Sequence, residues 1–305
     1  MTTRPRRLLV LGWLCGMLLA GCGTTTPTPT PTASPTALDF TVPDAAVVMV
    51  NRLLAETGSD KVLTVDITKD AVEVTVLDEE EQPVAWAYRN GEIGEVATDQ
   101  QYVDQATFDV SRFNFSDVGA LFRAAAGQSG SAQNQTLTIV DYSGGNVTMS
   151  VSTVPESRTV FFTPSGGLLP VLNFDTEGGI AQGIADTVGA RLSVYSITVD
   201  AGQGVWVDYP GAPDTIVRRT RTSKVPVTTN VTARSVDLPL FPAARVSPAA
   251  IWKVVDAARS AGDLPDEGGW SVVIDDRRNL GTPRMYFSFG TRVVTTDLEG
   301  NEVIA

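Results

Sequence analysis

The sequence predicts an α+β protein in which two similar domains, each made of two helix-plus-antiparallel-strands units, follow a disordered Thr/Pro-rich stalk. Four amphipathic segments begin near Asp44, Ser116, Gly179 and Ser247, at spacings of 72, 63 and 68 residues. Each is followed by runs of alternating polar and apolar residues, the pattern of half-buried strands. Similar periods of this length indicate a repeated unit.

The helices are predicted from apolar residues three and four positions apart, which form one stripe along a helix. Ser116 is expected to cap the second helix, and Ser247 with Pro248 in the favoured first position to start the last. A weaker, glycine-diluted helix is expected from about Gly179, and the first from about Asp44. The best two stripes are Val118, Leu121, Phe122 and Ala125, and Ile251, Val254, Val255 and Ala258.

The strands are predicted from clean alternation in stretches such as AVEVTVLD in the first unit and RMYFSFG in the last. Turns are expected at Asn90-Gly91, Gly144-Gly145 and Gly300-Asn301. One helix followed by about three antiparallel strands is therefore the predicted unit. Because a single helix covers too little of a sheet face, neighbouring units are expected to pair into domains over residues 38–168 and 169–305.

The first 21 residues have the features of a secretory signal peptide, with Arg4, Arg6 and Arg7 before a short apolar run. The following residues, Leu19-Ala20-Gly21-Cys22, resemble the bacterial lipobox. The resemblance implies cleavage before Cys22, diacylglycerol on its sulfur, and display of the mature chain on the outer side of the cell membrane. An ordinary cleaved signal with a chance cysteine is the alternative.

Residues 22–37 are predicted to form the lipidated cysteine and a Thr/Pro-rich linker, since GTTTPTPTPTASPTA lacks the apolar residues needed for a core. Its prolines favour an extended spacer of about 3.1 Å per residue. The same composition is typical of O-glycosylated stalks.

The order of elements, and stretches such as AWAYRNGEI and TTDLEGNEV, resemble PepSY-type repeats and the tandem repeats of beta-lactamase inhibitory proteins. That resemblance implies a non-catalytic exported module, of a kind that inhibits or chaperones extracytoplasmic enzymes. It assigns no contact residue in this chain.

Composition excludes several kinds of site. The chain has a formal charge of -12 and no histidine, which disfavours nucleic-acid binding and excludes a His-based triad or a histidine-ligated metal. Cys15 leaves with the signal and Cys22 is the proposed lipid site, so the mature domain has no thiol nucleophile. No cofactor, no metal and no enzymatic activity are expected.

Three charged clusters remain. Asp78 to Glu81 is expected to be a solvated turn, and Asp275 to Arg278 a polar turn with exposed pairs. The basic run TIVRRTRTSKVPV places Arg219 and Arg221 on one strand face and Arg218 on the other. Arg219 and Arg221 are candidate contacts for an anionic partner, or else protect an edge strand from pairing with other chains.

The sequence thus predicts a lipid-anchored, non-enzymatic module that binds another cell-envelope protein through a concave sheet face, as an inhibitor, chaperone or assembly factor. A few exposed tryptophan and tyrosine residues are expected to be its anchors. The alternative is a carrier of an apolar or lipid-like ligand, which needs a cavity of roughly 300 to 1,000 Å³ or more.

Overall fold

The computed structural model describes residues 38–98, 100, 105–264 and 269–303. The predicted signal peptide (1–21), Cys22 and the linker (22–37) lie outside the described residues. Among those described, no helix combines the length and the hydropathy that a membrane span requires.

The first half consists of two helices and one antiparallel sheet of seven strands in the order β4-β3-β2-β1-β5-β6-β7. Helix α1 packs on β2 and β3, and α2 on β6 and β7. The elements in chain order are α1 (Ala45–Thr57), β1 (Val62–Ile67), β2 (Val72–Leu77), β3 (Pro83–Arg89), β4 (Glu92–Val96), α2 (Val118–Ser129), β5 (Thr136–Ser143), β6 (Asn146–Ser152) and β7 (Thr159–Phe162).

The second half repeats this plan, with strand order β12-β11-β10-β9-β14-β15-β16 and a small β8–β13 pair beside it. Helix α3 packs on β10, β11 and α4. Its elements are α3 (Glu177–Val188), β8 (Ser193–Val194), β9 (Ser196–Asp200), β10 (Gly204–Pro210), β11 (Thr215–Arg221), β12 (Thr228–Ala233), β13 (Phe241–Pro242), α4 (Pro248–Ser260), β14 (Trp270–Asp275), β15 (Arg284–Phe289) and β16 (Arg292–Thr296).

The α+β class and the two similar halves are confirmed. The expected three strands per helix hold only for the second and fourth units, because the first and third contribute four strands each to their sheets. In each half the two units are joined by the first strand that each contributes to the seven-stranded sheet. These strands are β1 and β5 in the first half, and β9 and β14 in the second. The two units of a half therefore share one continuous sheet.

One predicted helix cap was wrong, and α3 begins two residues before its predicted start near Gly179. Asp117, not Ser116, caps α2 by accepting a hydrogen bond from the Ala120 N–H at 2.7 Å. Thr176 caps α3 through the Gly179 N–H at 3.1 Å, three residues before the predicted start. Ser247 caps α4 as expected. Ser and Asp are both good caps, so their neighbouring positions made the sequence ambiguous.

Each half has its own core between the helices and one face of its sheet. The predicted helix stripes lie in these cores: Val118, Leu121, Phe122 and Ala125 are all buried, as are Ile251, Val255 and Ala258.

The halves meet where the β5–β6 turn lies against the first residues of β12. Ser143 Oγ donates to the Thr229 carbonyl at 3.1 Å and accepts from the Thr229 N–H at 2.9 Å. The described residues, from 38 onward, belong to one compact unit. The predicted boundary at 168/169 lies between β7 and α3, and the separate-domain assignment stays a prediction.

Candidate functional site

The second sheet presents a face opposite its helices, and two large aromatic residues lie on it. Trp206 of β10 and Tyr286 of β15 alternate with core residues of their strands and are only partly buried. Between them, in one row across the sheet, lie Thr198 and Val273. The aromatic side chains therefore flank a row of smaller residues.

Each aromatic ring lies beneath an arginine. The Arg218 guanidinium lies 5.9 Å from the Trp206 ring centre, and that of Arg277 lies 4.1 Å from the centre of Tyr286. A guanidinium within about 6 Å of a ring is attracted to its negative face. These four residues, Trp206, Arg218, Arg277 and Tyr286, are called the arginine–aromatic face below.

Two aspartates hold the arginines in place. Arg218 donates from Nε and Nη2 to Asp208, both at 2.7 Å, and Arg277 donates from the same two atoms to Asp275, both at 2.8 Å. Hydrogen bonding to the carboxylate raises the pKa of each arginine, more than burial lowers it. Both guanidiniums are therefore charged and fixed in orientation by two-point contacts.

The exposure of these pairs is uneven, and this matters for binding. The Asp208 and Asp275 side chains are 16% and 5% exposed, whereas Arg218 and Arg277 are 51% and 46% exposed. The acids lie beneath, and the cations are presented to solvent. The expectation that Asp275 belongs to an exposed pair was wrong, because its carboxylate is buried at the end of β14.

The predicted anion contacts lie on the other face of β11, as alternation required. Arg219 is half-buried and donates to the Thr187 carbonyl at 2.9 Å, at the carboxyl end of α3. Burial and the charge of Arg191 lower its pKa. It also lines a cavity of about 260 Å³ together with Asp186 and Asn146. A partner contact by Arg219 stays a prediction.

Arg221 is engaged within the protein. It is 1% exposed and donates to the Asp186 carboxylate at 3.2 Å, to the Pro170 carbonyl at 2.7 Å and to the Val225 and Thr222 carbonyls. It ties the segment between the halves to β11 and α3. Arg221 also lines the cavity of about 260 Å³ that Arg219 lines, and a partner contact by Arg221 stays a prediction.

The remaining charged cluster has no site geometry. Asp78 to Glu81 form the turn between β2 and β3, where Glu79 to Glu81 are exposed. Within the described ranges, no group of three Cys, Asp or Glu residues is arranged to hold a metal ion.

Sequence reasoning missed the arginine–aromatic face because its members come from three strands and one turn. The sequence analysis assigned neither Trp206 nor Tyr286 to a strand face. It did not show that β10 and β15 lie in one sheet on either side of β9 and β14.

No protein-family model and no curated protein sequence matches the chain. Among solved structures, it is similar to a Helicobacter pylori beta clamp in complex with 5-chloroisatin, at 9% identity over 88% of this chain and 63% of that one, with a TM-score of 0.16. It is also similar to the DNA polymerase III subunit beta from Pseudomonas aeruginosa, at 12% identity over 87% of this chain and 64% of that one, with a TM-score of 0.15. The chain thus spans less than two thirds of these proteins, and TM-scores this low carry no argument about fold or function.

Proposed function

We propose that this chain is a lipid-anchored, extracytoplasmic, non-enzymatic module that binds another cell-envelope protein through the arginine–aromatic face. The observation that carries the proposal is the pair of half-exposed arginines, each lying over an aromatic ring and fixed by a carboxylate below it. Trp, Tyr and Arg dominate the binding energy of protein interfaces. Side chains that are already ordered lose less entropy on binding.

The face also indicates what its partner presents. A guanidinium has five N–H donors, and Asp208 or Asp275 takes two from each arginine. The remaining N–H donors of each arginine can bind carbonyl or carboxylate oxygens of a partner, and the aromatic rings can pack against an apolar surface. The partner is therefore expected to contribute an apolar patch edged with acidic or carbonyl groups.

Cys22 provides the anchor in this proposal. The mature chain has 20 basic and 35 acidic groups after three arginines leave with the signal, so its charge does not hold it to an anionic membrane. Two or three acyl chains on Cys22 bind far more firmly than one. Mass spectrometry of the membrane-extracted protein is expected to find diacylglycerol on a peptide that begins at Cys22; an unmodified Cys22 would refute the anchor.

Site-specific photocrosslinking tests the binding face in cells. A photoreactive residue at Thr220, which pairs with Trp206 on the neighbouring strand and lies two residues from Arg218, is compared with one at Ala257, which is exposed on α4. One envelope protein is expected to crosslink from Thr220 and not from Ala257. Replacement of Trp206 by Ala in the Thr220 background is expected to abolish that crosslink.

The same proteins crosslinking from both positions, or a crosslink that survives Trp206→Ala in a folded variant, would refute the proposal. Circular dichroism of the variant provides the folding control. The carrier alternative has one observation in its favour, a groove of about 840 Å³ beside α2 in the first half, lined in part by Phe122, Ala126 and Val154.

A further inference from the structure

Two arginines lie side by side at the carboxyl end of α3. Arg191 belongs to the segment that follows the helix, and Arg219 reaches the same place from β11. A Cβ added to Gly189, the residue after α3, would lie 2.8 Å from Arg219 Nη1 and 3.5 Å from Arg191 Nη1. The two guanidiniums therefore border one space beside a residue that has no side chain.

Neutral groups hold both arginines in position. Arg219 Nη1 donates to the Thr187 carbonyl at 2.9 Å. Arg191 donates from Nη2 to the Tyr209 hydroxyl at 2.7 Å and from Nη1 to the Val188 carbonyl at 3.4 Å. The guanidinium of Arg191 also lies 4.1 Å from the centre of the Tyr209 ring. These contacts order the two side chains without neutralising their charges.

Carboxylates do not compensate this pair of charges. Among the residues that the structure describes, no Asp or Glu forms an ion pair with Arg191 or Arg219. The carboxylate whose charge acts on Arg219 is that of Asp186, and it is already paired with Arg221 at 3.2 Å. Three arginines therefore face one aspartate. The carboxyl end of α3 offsets only about half a charge of the remaining positive excess.

Both arginines keep unused donors. A guanidinium has five N–H groups, and within the described part of the chain Arg219 donates one hydrogen bond and Arg191 two. Arg191 Nε is buried and has no hydrogen-bond partner there. Burial and the charge of Arg191 both lower the pKa of Arg219. An anion between the two guanidiniums would relieve their repulsion and accept hydrogen bonds from both.

We propose that Arg191 and Arg219 form a binding site for a phosphate group. Each guanidinium can donate two parallel N–H bonds to phosphate oxygens, and a phosphate group carries up to about two negative charges, against one for a carboxylate. The occupant is free inorganic phosphate or the phosphate group of a larger envelope molecule. Because Arg219 lies on the helix-bearing side of the second sheet, the site does not depend on the arginine–aromatic face binding a protein.

Titration of inorganic phosphate into the membrane-extracted protein, followed by phosphorus NMR line width, tests the site. It is made at about pH 8, above the second pKa of a phosphate group, about 6, with the ionic strength held constant by chloride. One saturable site is expected, and acetate is expected to displace phosphate only at about tenfold higher concentration. Absence of saturable binding would overturn the site, and equally strong competition by acetate would overturn the preference for phosphate.

Glycerol 3-phosphate distinguishes the two sources of the ligand. Competition as strong as that of inorganic phosphate would identify the phosphate group of a larger molecule as the occupant. Failure of glycerol 3-phosphate to compete would identify the free ion. Both results are compatible with the site, and they differ in the space that it leaves beyond the phosphate oxygens.

Variants locate the site. Arg191→Gln and Arg219→Gln are each expected to weaken phosphate binding about tenfold or more, because each removes charge-assisted hydrogen bonds. Arg52→Gln, at an exposed position on α1, is the matched control and should leave binding unchanged. If circular dichroism shows that a glutamine variant does not fold, Arg191→Lys or Arg219→Lys replaces it, since lysine keeps the charge and loses the two-point contact. Phosphate binding unchanged in the folded variants, or weakened equally by Arg52→Gln, would overturn the proposal.

Discussion

Replacement of Arg221 by Ala is expected to destabilise the second half more than any other single charge removal discussed above. Arg221 is fully buried, and its loss leaves four acceptors without their donor: the Asp186 carboxylate and the carbonyls of Pro170, Thr222 and Val225. Breaking a buried ion pair costs about 3 to 5 kcal/mol. Asp186 is 28% exposed and retains a hydrogen bond from Gln182, so the lower end, about 3 kcal/mol, is expected.

Urea unfolding followed by tryptophan fluorescence measures this loss mainly in the second half, because Trp206, Trp252 and Trp270 lie there and the described part of the first half contributes Trp86 alone. With a slope of about 1 to 3 kcal/mol per molar urea, the midpoint should fall by about 1 to 3 M. Arg123→Ala is the control, since its mostly exposed pair with Asp117, at 3.9 Å, contributes up to about 1 kcal/mol. A loss for Arg221→Ala no larger than that for Arg123→Ala would refute the reasoning.

Three further predictions concern the first half. Burial raises the pKa of Asp66. At pH values between the unfolded-state and folded-state pKa of Asp66, the native state holds more protons than the unfolded state, so the free energy of unfolding falls as pH rises through this window. Asp66→Asn should therefore stabilise the protein at pH 7 and lose that advantage near pH 3. Urea unfolding at both pH values measures the difference. Gly119→Ala should destabilise the protein by about 1 to 3 kcal/mol, because the added Cβ would lie 2.5 Å from a backbone oxygen. Gly127→Ala, with open space around it, should stabilise the protein by about 0.5 to 1 kcal/mol. Equal shifts of the two variants' melting temperatures would contradict this prediction. Asp117→Ala should lower the free energy of unfolding by about 1 kcal/mol, and Ser116→Ala should leave it almost unchanged. A larger loss for Ser116→Ala than for Asp117→Ala would identify Ser116 as the cap.

The helices could be predicted because an amphipathic stripe depends on residues within a few turns of one another. Val118, Leu121, Phe122 and Ala125 all lie in the first core, as their spacing required. The exact caps were less certain, since Ser116 and Asp117 are both suitable and only the path of the chain selects between them.

The role of the basic run could be predicted only in part. Alternation correctly separated Arg218 from Arg219 and Arg221. It could not show that Arg221 would meet Asp186 and Pro170, which lie 35 and 51 residues away in the chain. Long-range contacts of this kind decide whether a charged side chain contacts solvent or is buried with partners.

The sequence by itself determined the kinds of elements, their order and their repetition, because periodicity and turn chemistry are local properties of the chain. It also determined the absence of histidine and the lipobox-like residues ending at Cys22. Only the tertiary structure decided which strands are neighbours, and so brought Trp206 and Tyr286 onto one face. It also decided that Arg221 is buried against Asp186 and Pro170, because this outcome depends on packing between segments far apart in the chain.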